Sequence, residues 1–433
     1  MKFYSLNRQA PDVDFRYAAV HGQAPDKGLY FPEKIPRLSK GFLEDIAKKT
    51  KVEIGVEVMS PYTEGSLPAT ILEQIVSETV DFDFPLVAID DHVASLELFH
   101  GPTMAFKDVG ARFMSRCLGY FNRDSHGKTT VLVATSGDTG GAVANGFLDV
   151  EGVDVVILYP KGKVSPIQEL QLTTCGRNIK ALEIDGVFDD CQAILKRAFM
   201  DIELNRKRFL TSANSINIAR WLPQQLYYFF AYQQWAETCR EVPVVCVPSG
   251  NFGNICAGIL ANASGLPVRH FLAATNINDE IPKYFSSGKY APQKAVATLS
   301  NAMDVGDPSN FVRILEIFQN DFAELKDKVS SMSVSDEATV ATIQEVYSRT
   351  GYVLDPHGAV AYRALSDFQK DNGGKGFILE TAHPVKFPDV VEKAIGRKIP
   401  IPEKAQYLLT RKKETVALPA DFQAVKDWLL HSL

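Results

Sequence analysis

Thr130-Val131-Leu132-Val133-Ala134, followed by Thr135-Ser136-Gly137-Asp138-Thr139-Gly140 and then by Ala142-Val143-Ala144-Asn145-Gly146-Phe147-Leu148, is the stretch that decides the fold. The opening residues are a short apolar run rich in β-branched side chains, which reads as a buried strand. Small and polar residues then make a turn, and the last segment reads as a helix. The same order recurs along the chain. Asp154–Tyr159 precedes a helix expected from Pro166, and Ile179–Ile184 precedes a helical run with Phe188, Cys191, Ile194, Leu195 and Phe199 on one face. Val242–Val247 leads through Pro248–Asn254 into the helical ICAGILANA, and His270–Ala274 and Gly376–Leu379 are further strands. Strands alternating with helices predict an α/β fold whose parallel sheets are covered by helices on both faces.

The 433 residues exceed one ordinary core. Residues 1–90 carry Pro/Gly-rich turns and short helical stretches, Gly41–Lys48 and Ala69–Val80, and read as an N-terminal domain. Residues 91–385 hold the repeating strand–turn–helix pattern, and 386–433 read as a helical tail packing on that core. A net charge of −6 argues against nucleic-acid or anionic-membrane partners. No apolar segment approaches membrane-spanning length and the start lacks the apolar core of a signal peptide, so a cytoplasmic location is expected. The six cysteines form no C-x-x-C and read as reduced thiols; the eight histidines form no H-E-x-x-H, so no metal site is expected. Gly127-Lys128-Thr129 resembles the tail of a phosphate-binding loop, but it precedes a strand instead of following one.

In parallel sheets, ligands bind where strands end and turns lead into helices. Pro248–Asn254 is rich in Gly and Asn at such a place. Its freed N–H groups, with a helix dipole behind them, suit a phosphate; a plain strand-to-helix turn is the alternative. Thr135–Gly140 suits a small carboxylate, or is a capped helix start with Ser136 or Asp138 as the cap. Within His100–Asp108, Lys107 stands after a turn and at the mouth of a helix whose face is Val109, Phe113, Cys117 and Phe121. The helix N-terminus and the apolar Ala105 and Phe106 would both lower its pKa, as an amine nucleophile requires; a surface lysine opening a helix is the other reading.

Five ordered motifs, H-G-P-T-x-A-F-K-D (100–108), T-S-G-D-T-G (135–140), S-A-N-S-I-N (212–217), P-S-G-N-F-G-N (248–254) and T-A-H-P (381–384), resemble the threonine synthase family in its longer bacterial and fungal form. The resemblance covers essentially the whole chain, from the Gly28–Pro32 turn onward. It implies the fold-type II architecture of pyridoxal-phosphate enzymes, tryptophan synthase β-like with an extra N-terminal domain. It implies conversion of O-phospho-L-homoserine and water to L-threonine and phosphate. Lys107 matches the lysine that holds pyridoxal 5'-phosphate. Gly250, Asn251, Phe252, Gly253 and Asn254 match the loop for the cofactor phosphate, and Thr381 matches the hydroxyl facing its ring nitrogen. Ser136, Gly137, Asp138 and Thr139 match the loop for the substrate carboxylate; many relatives carry Asn where Asp138 stands. Asn214, Ser215 and Arg220 match the segment for the substrate phosphate, where a guanidinium fork fits a phosphate's oxygens. Arg220 also reads as a surface arginine on a long helix running on through Tyr227, Tyr228 and Phe230.

The chemistry implied requires water exclusion, for which closure of a smaller subdomain at about residues 100–240 is expected. A monomer or weak homodimer, with a small-molecule substrate as partner, completes the expectation. Two other functions share these residues in part: a phospholyase on a phosphorylated amino acid, and a non-catalytic binder of phosphorylated metabolites.

Overall fold

The structure, a computed structural model, describes residues 1–123 and 128–433; Gly127 of the loop-like tripeptide lies outside them. Its strands in chain order are β1 (Phe3–Ser5), β2 (Tyr30–Pro32), β3 (Leu86–Ala88), β4 (Val93–Glu97), β5 (Thr129–Ala134), β6 (Val153–Pro160), β7 (Ile179–Asp185), β8 (Phe209–Ser212), β9 (Val244–Pro248), β10 (His270–Thr275), β11 (Val329–Ser333), β12 (Gly376–Glu380) and β13 (Val416–Pro419). Two sheets dominate. The first runs β11-β10-β9-β12-β4-β3, the second β13-β7-β6-β5-β8. All pairings are parallel except that of edge strand β3 with β4. That hairpin is set by Asp90, whose Oδ1 accepts from the His92 and Val93 N–H groups at 2.9 Å. β5, β6, β9 and β12 are buried at every position, as unbroken apolar runs under helices on both faces require.

All six strands expected from the sequence form, each within two residues of its expected ends. The short strands were not legible. β1 and β2 pair antiparallel, Phe3 opposite Pro32, and need each other to exist. The N-terminal segment also carries a helix at Lys51–Thr63, opened by a capping box between Thr50 and Glu53. It does not keep a core to itself. Phe15 meets Phe113 and Phe121 at 6.4 and 6.3 Å, and one buried apolar cluster runs from Phe3 to Leu379.

The tail corrects its expectation of helix alone. Helices Pro388–Ile395 and Phe422–His431 form, but β13 between them adds a parallel strand beside β7, Val416 opposite Leu182. Four residues ending in Pro carry too little pattern to announce a strand; the exposed edge of β7 supplies the pairing. The adjoining Lys413 ties the tail down through Glu169 at 2.6 Å and Glu183 at 3.0 Å. Among the described residues, no helix is long and apolar enough to cross a membrane and no cluster of His, Cys, Asp and Glu could hold a metal ion.

Candidate functional site

The carboxyl ends of β5, β9 and β12 lead into the segments 135–140, 248–254 and 381–386. A fourth segment, 98–106, is stitched to the last of these. Leu98 N–H donates to Glu380 O at 3.0 Å, Phe106 N–H to Thr381 O at 2.9 Å and His383 N–H to Met104 O at 3.1 Å, with Ala105 and Ala382 bridged antiparallel. Met104 takes a left-handed φ of 59° to turn the chain. The helix Lys107–Asn122 starts at once, so Lys107 is its first residue and stands beside buried Thr381. Tyr227 Oη donates to Phe106 O and anchors the entry from behind. Asp108 is buried and accepts from Thr103 N–H at 2.9 Å and from the Thr103 hydroxyl, which ties the turn to the helix it precedes. Burial draws the Lys107 ammonium below its ordinary range; Asp138 opposes, and the positive charges of Lys386 and Arg220 reinforce it.

In the 135–140 turn the capping hydroxyl is that of Thr135, which accepts from Gly137 and Gly140 N–H at 2.9 Å; neither Ser136 nor Asp138 caps. Gly137, at φ 140°, could carry no side chain, because a Cβ would strike Gln168 at 2.4 Å. The N-cap residue Gly137 has no side chain to cap helix Asp138–Phe147, so Thr135 satisfies the Gly140 N–H alone and leaves the Asp138 and Thr139 N–H groups without a side-chain acceptor. Ser136 and Thr139 are half-buried, with hydroxyls that make no hydrogen bond among the described residues. Asp138 is turned elsewhere. Its Oδ1 accepts from Lys386 Nζ at 2.7 Å and from Gln168 Nε2 at 2.9 Å. Burial alone would raise its pKa, but the charges of Lys386 and Lys107 and the two hydrogen bonds outweigh that and hold the carboxyl well below its usual range. Lys386 itself has no exposed side-chain surface.

Sequence reasoning missed Lys386. Its only trace is a lysine two residues beyond the T-A-H-P motif, between the apolar Val385 and Phe387.

After β9, Phe252 sits in the left-handed region at φ 58°, and helix Gly253–Ala263 starts with no side-chain cap. Its first N–H groups therefore face outward, as an anion cup needs. A Cβ on Gly250 would come within 2.6 Å of Met303 Cα, and one on Gly253 within 3.2 Å of Asn310 Nδ2, so both positions require glycine or a shifted wall. Asn254 Oδ1 accepts from Tyr228 Oη at 2.9 Å, whereas its buried Nδ2 has no partner. Asn251 is braced instead of free: its Nδ2 donates to Ser215 Oγ at 2.7 Å and its Oδ1 accepts from Ser309 N–H at 2.6 Å. Ser215 thus borders this loop, and Asn214 beside it is half-buried.

Arg220 is not on a long surface helix. Pro223 cannot donate, and the segment breaks into Ile218–Trp221, a 3-10 turn Leu222–Gln224 and helix Gln225–Thr238. Arg220 is buried, 3 % exposed, and lies against Gly110 of the Lys107 helix, where a Cβ would meet its Nε at 3.0 Å. One guanidinium nitrogen donates to Ala213 O, and Nε is left without a partner. Burial lowers its pKa to about 10, against the pull of Tyr227 and Asp108. A buried cation with an unused donor is an anion receiver.

Residues 90–378 match the family described as pyridoxal-phosphate dependent enzyme, residues 2–80 the threonine synthase N terminus, and residues 358–429 the threonine synthase C-terminal region. Threonine synthase of Haemophilus influenzae is 43 % identical over 432 residues, covering both chains completely. The chain belongs to the threonine synthase family. Among solved structures, threonine synthase of Escherichia coli superposes with a TM-score of 0.93 at 43 % identity, covering all of both chains. The PLP-bound threonine synthase of Brucella melitensis does so at 0.93 and 35 %, over all of this chain and 99 % of the other. The fold is that of the fold-type II pyridoxal-phosphate enzymes, and pyridoxal phosphate is the cofactor of this family.

The residues present in the threonine synthase fold fit that cofactor: the helix at Gly253 starts uncapped, the buried Asn254 Nδ2 beside it has no partner, and Lys107 opens its helix directly after Phe106, whose N–H is held by Thr381 O. Gly250→Ala tests the cup. Overpacking against the Met303 backbone carries a strain of about 1–3 kcal/mol. The expected outcome is a cofactor dissociation constant raised on the order of tenfold, read by equilibrium titration with pyridoxal phosphate.

Proposed function

We propose that this cleft makes L-threonine and phosphate from O-phospho-L-homoserine and water, with Lys107 as the lysine that holds pyridoxal phosphate. The observation that supports this most is a half-buried lysine within charge range of the buried Arg220 guanidinium, in a fold that offers a second, separate anion receiver at the uncapped Gly253 helix. One suits the cofactor phosphate and the other the substrate phosphate.

Gly250, Asn251, Phe252, Gly253 and Asn254 form the cup for the cofactor phosphate, and the Thr381 hydroxyl faces the ring nitrogen without requiring it to be protonated. Bound there, the cofactor supplies an electron sink for charge developing on the substrate's α-carbon. The Asp138 and Thr139 N–H groups that Thr135 leaves free at the helix start, with the Ser136 and Thr139 hydroxyls, receive the substrate α-carboxylate; Gly137 keeps the backbone close. Once its amine is free, Lys107 Nζ takes the α-proton, and burial, which lowers its hold on a proton, favours the neutral amine that this step needs. The phosphate departs from the γ-carbon as a β-proton is lost; protons return to the γ-carbon and the α-carbon, the last from Lys107 after water has added at the β-carbon. Arg220 and Asn214, with Ser215 at the border of the cofactor cup, hold the phosphate that leaves from the γ-carbon. Ser136–Thr139 belong to the second sheet and the 250–254 loop and Thr381 to the first, so drawing the 100–240 subdomain toward the rest of 91–385 excludes water. Residues 1–90 and, beyond the buried Lys386, the rest of 386–433 brace the two parts from outside.

The assay is O-phosphohomoserine supplied to purified holoenzyme, with threonine and phosphate measured together. A 2-oxo acid and ammonia in their place would make the protein a phospholyase. Arg220→Met tests the second anion receiver: kcat/KM for O-phosphohomoserine should fall by about 10²-fold while cofactor affinity stays, because a charge-assisted fork is lost on the substrate alone. An equal fall in cofactor affinity would move Arg220 to the other phosphate.

A further inference from the structure

The roles above leave Lys386 without a task, although its side chain is wholly buried. It closes the 3-10 turn Pro384–Lys386 after β12, in the first sheet. Its partner Asp138 opens the helix after β5, in the second. The pair, at 2.7 Å with Asp138 only 4 % exposed, therefore bridges the two sheets across the cleft. Stability does not account for it, since well-packed apolar residues of similar volume do as well as a buried ion pair. Nor is the contact loose. Gln168 Nε2 holds the same carboxylate oxygen at 2.9 Å, and Gln168 Oε1 accepts from Ser165 N–H at 3.1 Å, which fixes the amide's orientation. Both charges act on Lys107, with opposite signs.

We propose that Lys386 is a positioning residue paired with Asp138: its ammonium fixes the carboxylate within charge range of Lys107, and the two opposite charges together set how tightly the Lys107 nitrogen holds a proton. This rests on the role of Lys107 proposed above. The other charges facing the group are Arg220, which acts on Lys107, and Asp108, Lys404 and His383, each within reach of the Lys386 charge. They stay in place when the pair is altered. Asp138→Asn leaves the Lys386 ammonium alone beside Lys107 and disfavours a proton there. Lys386→Met leaves the Asp138 carboxylate alone and favours one.

The experiment is a pH titration of the visible absorption band of the holoenzyme, prepared with pyridoxal phosphate, for wild type, Asp138→Asn, Lys386→Met, the double variant and Lys386→Arg. The midpoint should fall by about one pH unit in Asp138→Asn and rise by about one in Lys386→Met. It should return most of the way in the double variant and hold in Lys386→Arg. Midpoints that stay where they are, or that shift in the same direction in both single variants, overturn the proposal. If Lys386→Met does not fold, the isosteric Asp138→Asn against the double variant carries the same test, because adding Lys386→Met must raise the midpoint again. A failure of the Lys107 reading has its own signature, a visible band that survives Lys107→Ala, and takes this proposal with it.

Discussion

Lys107→Ala is expected to lower threonine formation by on the order of 10⁴-fold, the upper end of what one positioned acid–base group contributes. It removes two functions at once. On the role proposed for Lys107, the amine that holds the cofactor is gone, and so is the base for the α-proton. Nothing nearby replaces it. Lys386 is committed to Asp138 and has no exposed surface, and Arg220 stays protonated at any working pH even with its pKa lowered to about 10. Steady-state phosphate release gives the rate, and the visible absorbance of the protein with added pyridoxal phosphate reports the attachment. Turnover within roughly tenfold of wild type would remove Lys107 from the mechanism.

The largest loss of stability is expected from Arg313→Met. The guanidinium is completely buried. It donates to Tyr30 O at 3.1 Å, Ile216 O at 2.7 Å, Ser215 O at 3.4 Å and Asn310 Oδ1 at 2.7 Å, and lies 4.3 Å from the centre of the Trp221 ring. One side chain thus joins the N-terminal segment, the 212–217 motif and the wall of the cofactor loop. With Asn310 Oδ1 engaged by Arg313, its Nδ2 is left to donate to Asn251 O at 3.1 Å and to Ser215 Oγ at 3.2 Å. Methionine fills much of the volume but leaves two buried and two partly buried acceptors unpaired, the buried ones each costing about 1–3 kcal/mol before relaxation. Relief from burying a cation offsets part of this, so a net destabilisation on the order of 4 kcal/mol is expected. The urea midpoint of unfolding measures it, with cofactor affinity as a second reading. A loss below about 1 kcal/mol would mean that the acceptors find water instead.

How much of this was written locally differs from element to element. β5, β6, β9 and β12 declare themselves because both faces of each are buried, and an unbroken β-branched run has no other home. The turns after β5 and β9 declare themselves because Gly at 137, 250 and 253 is demanded by close neighbours. β1, β2, β8 and β13 are too short to carry a period, and β11, Val-Ser-Ser-Met-Ser, has no apolar run; what makes them strands is a partner far along the chain. Arg220 looked like one more polar residue on an amphipathic surface, and only the break at Pro223 and the approach of Gly110 show it buried.

The sequence by itself determined the alternating α/β architecture, Lys107 at the start of its helix and the two glycine-bearing turns that lead from strands into helices. Those are local matters of side-chain branching, backbone freedom and helix ends, and they can be read a few residues at a time. The tertiary structure alone decided where Asp138 points. An acid in a turn expected to receive a carboxylate made no local sense. It makes sense only once β12 and β5 bring Lys386, 248 residues away, to 2.7 Å from it in a space closed to water. Charge pairing in a buried cleft depends on distance and desolvation, and neither is encoded in the neighbours along the chain.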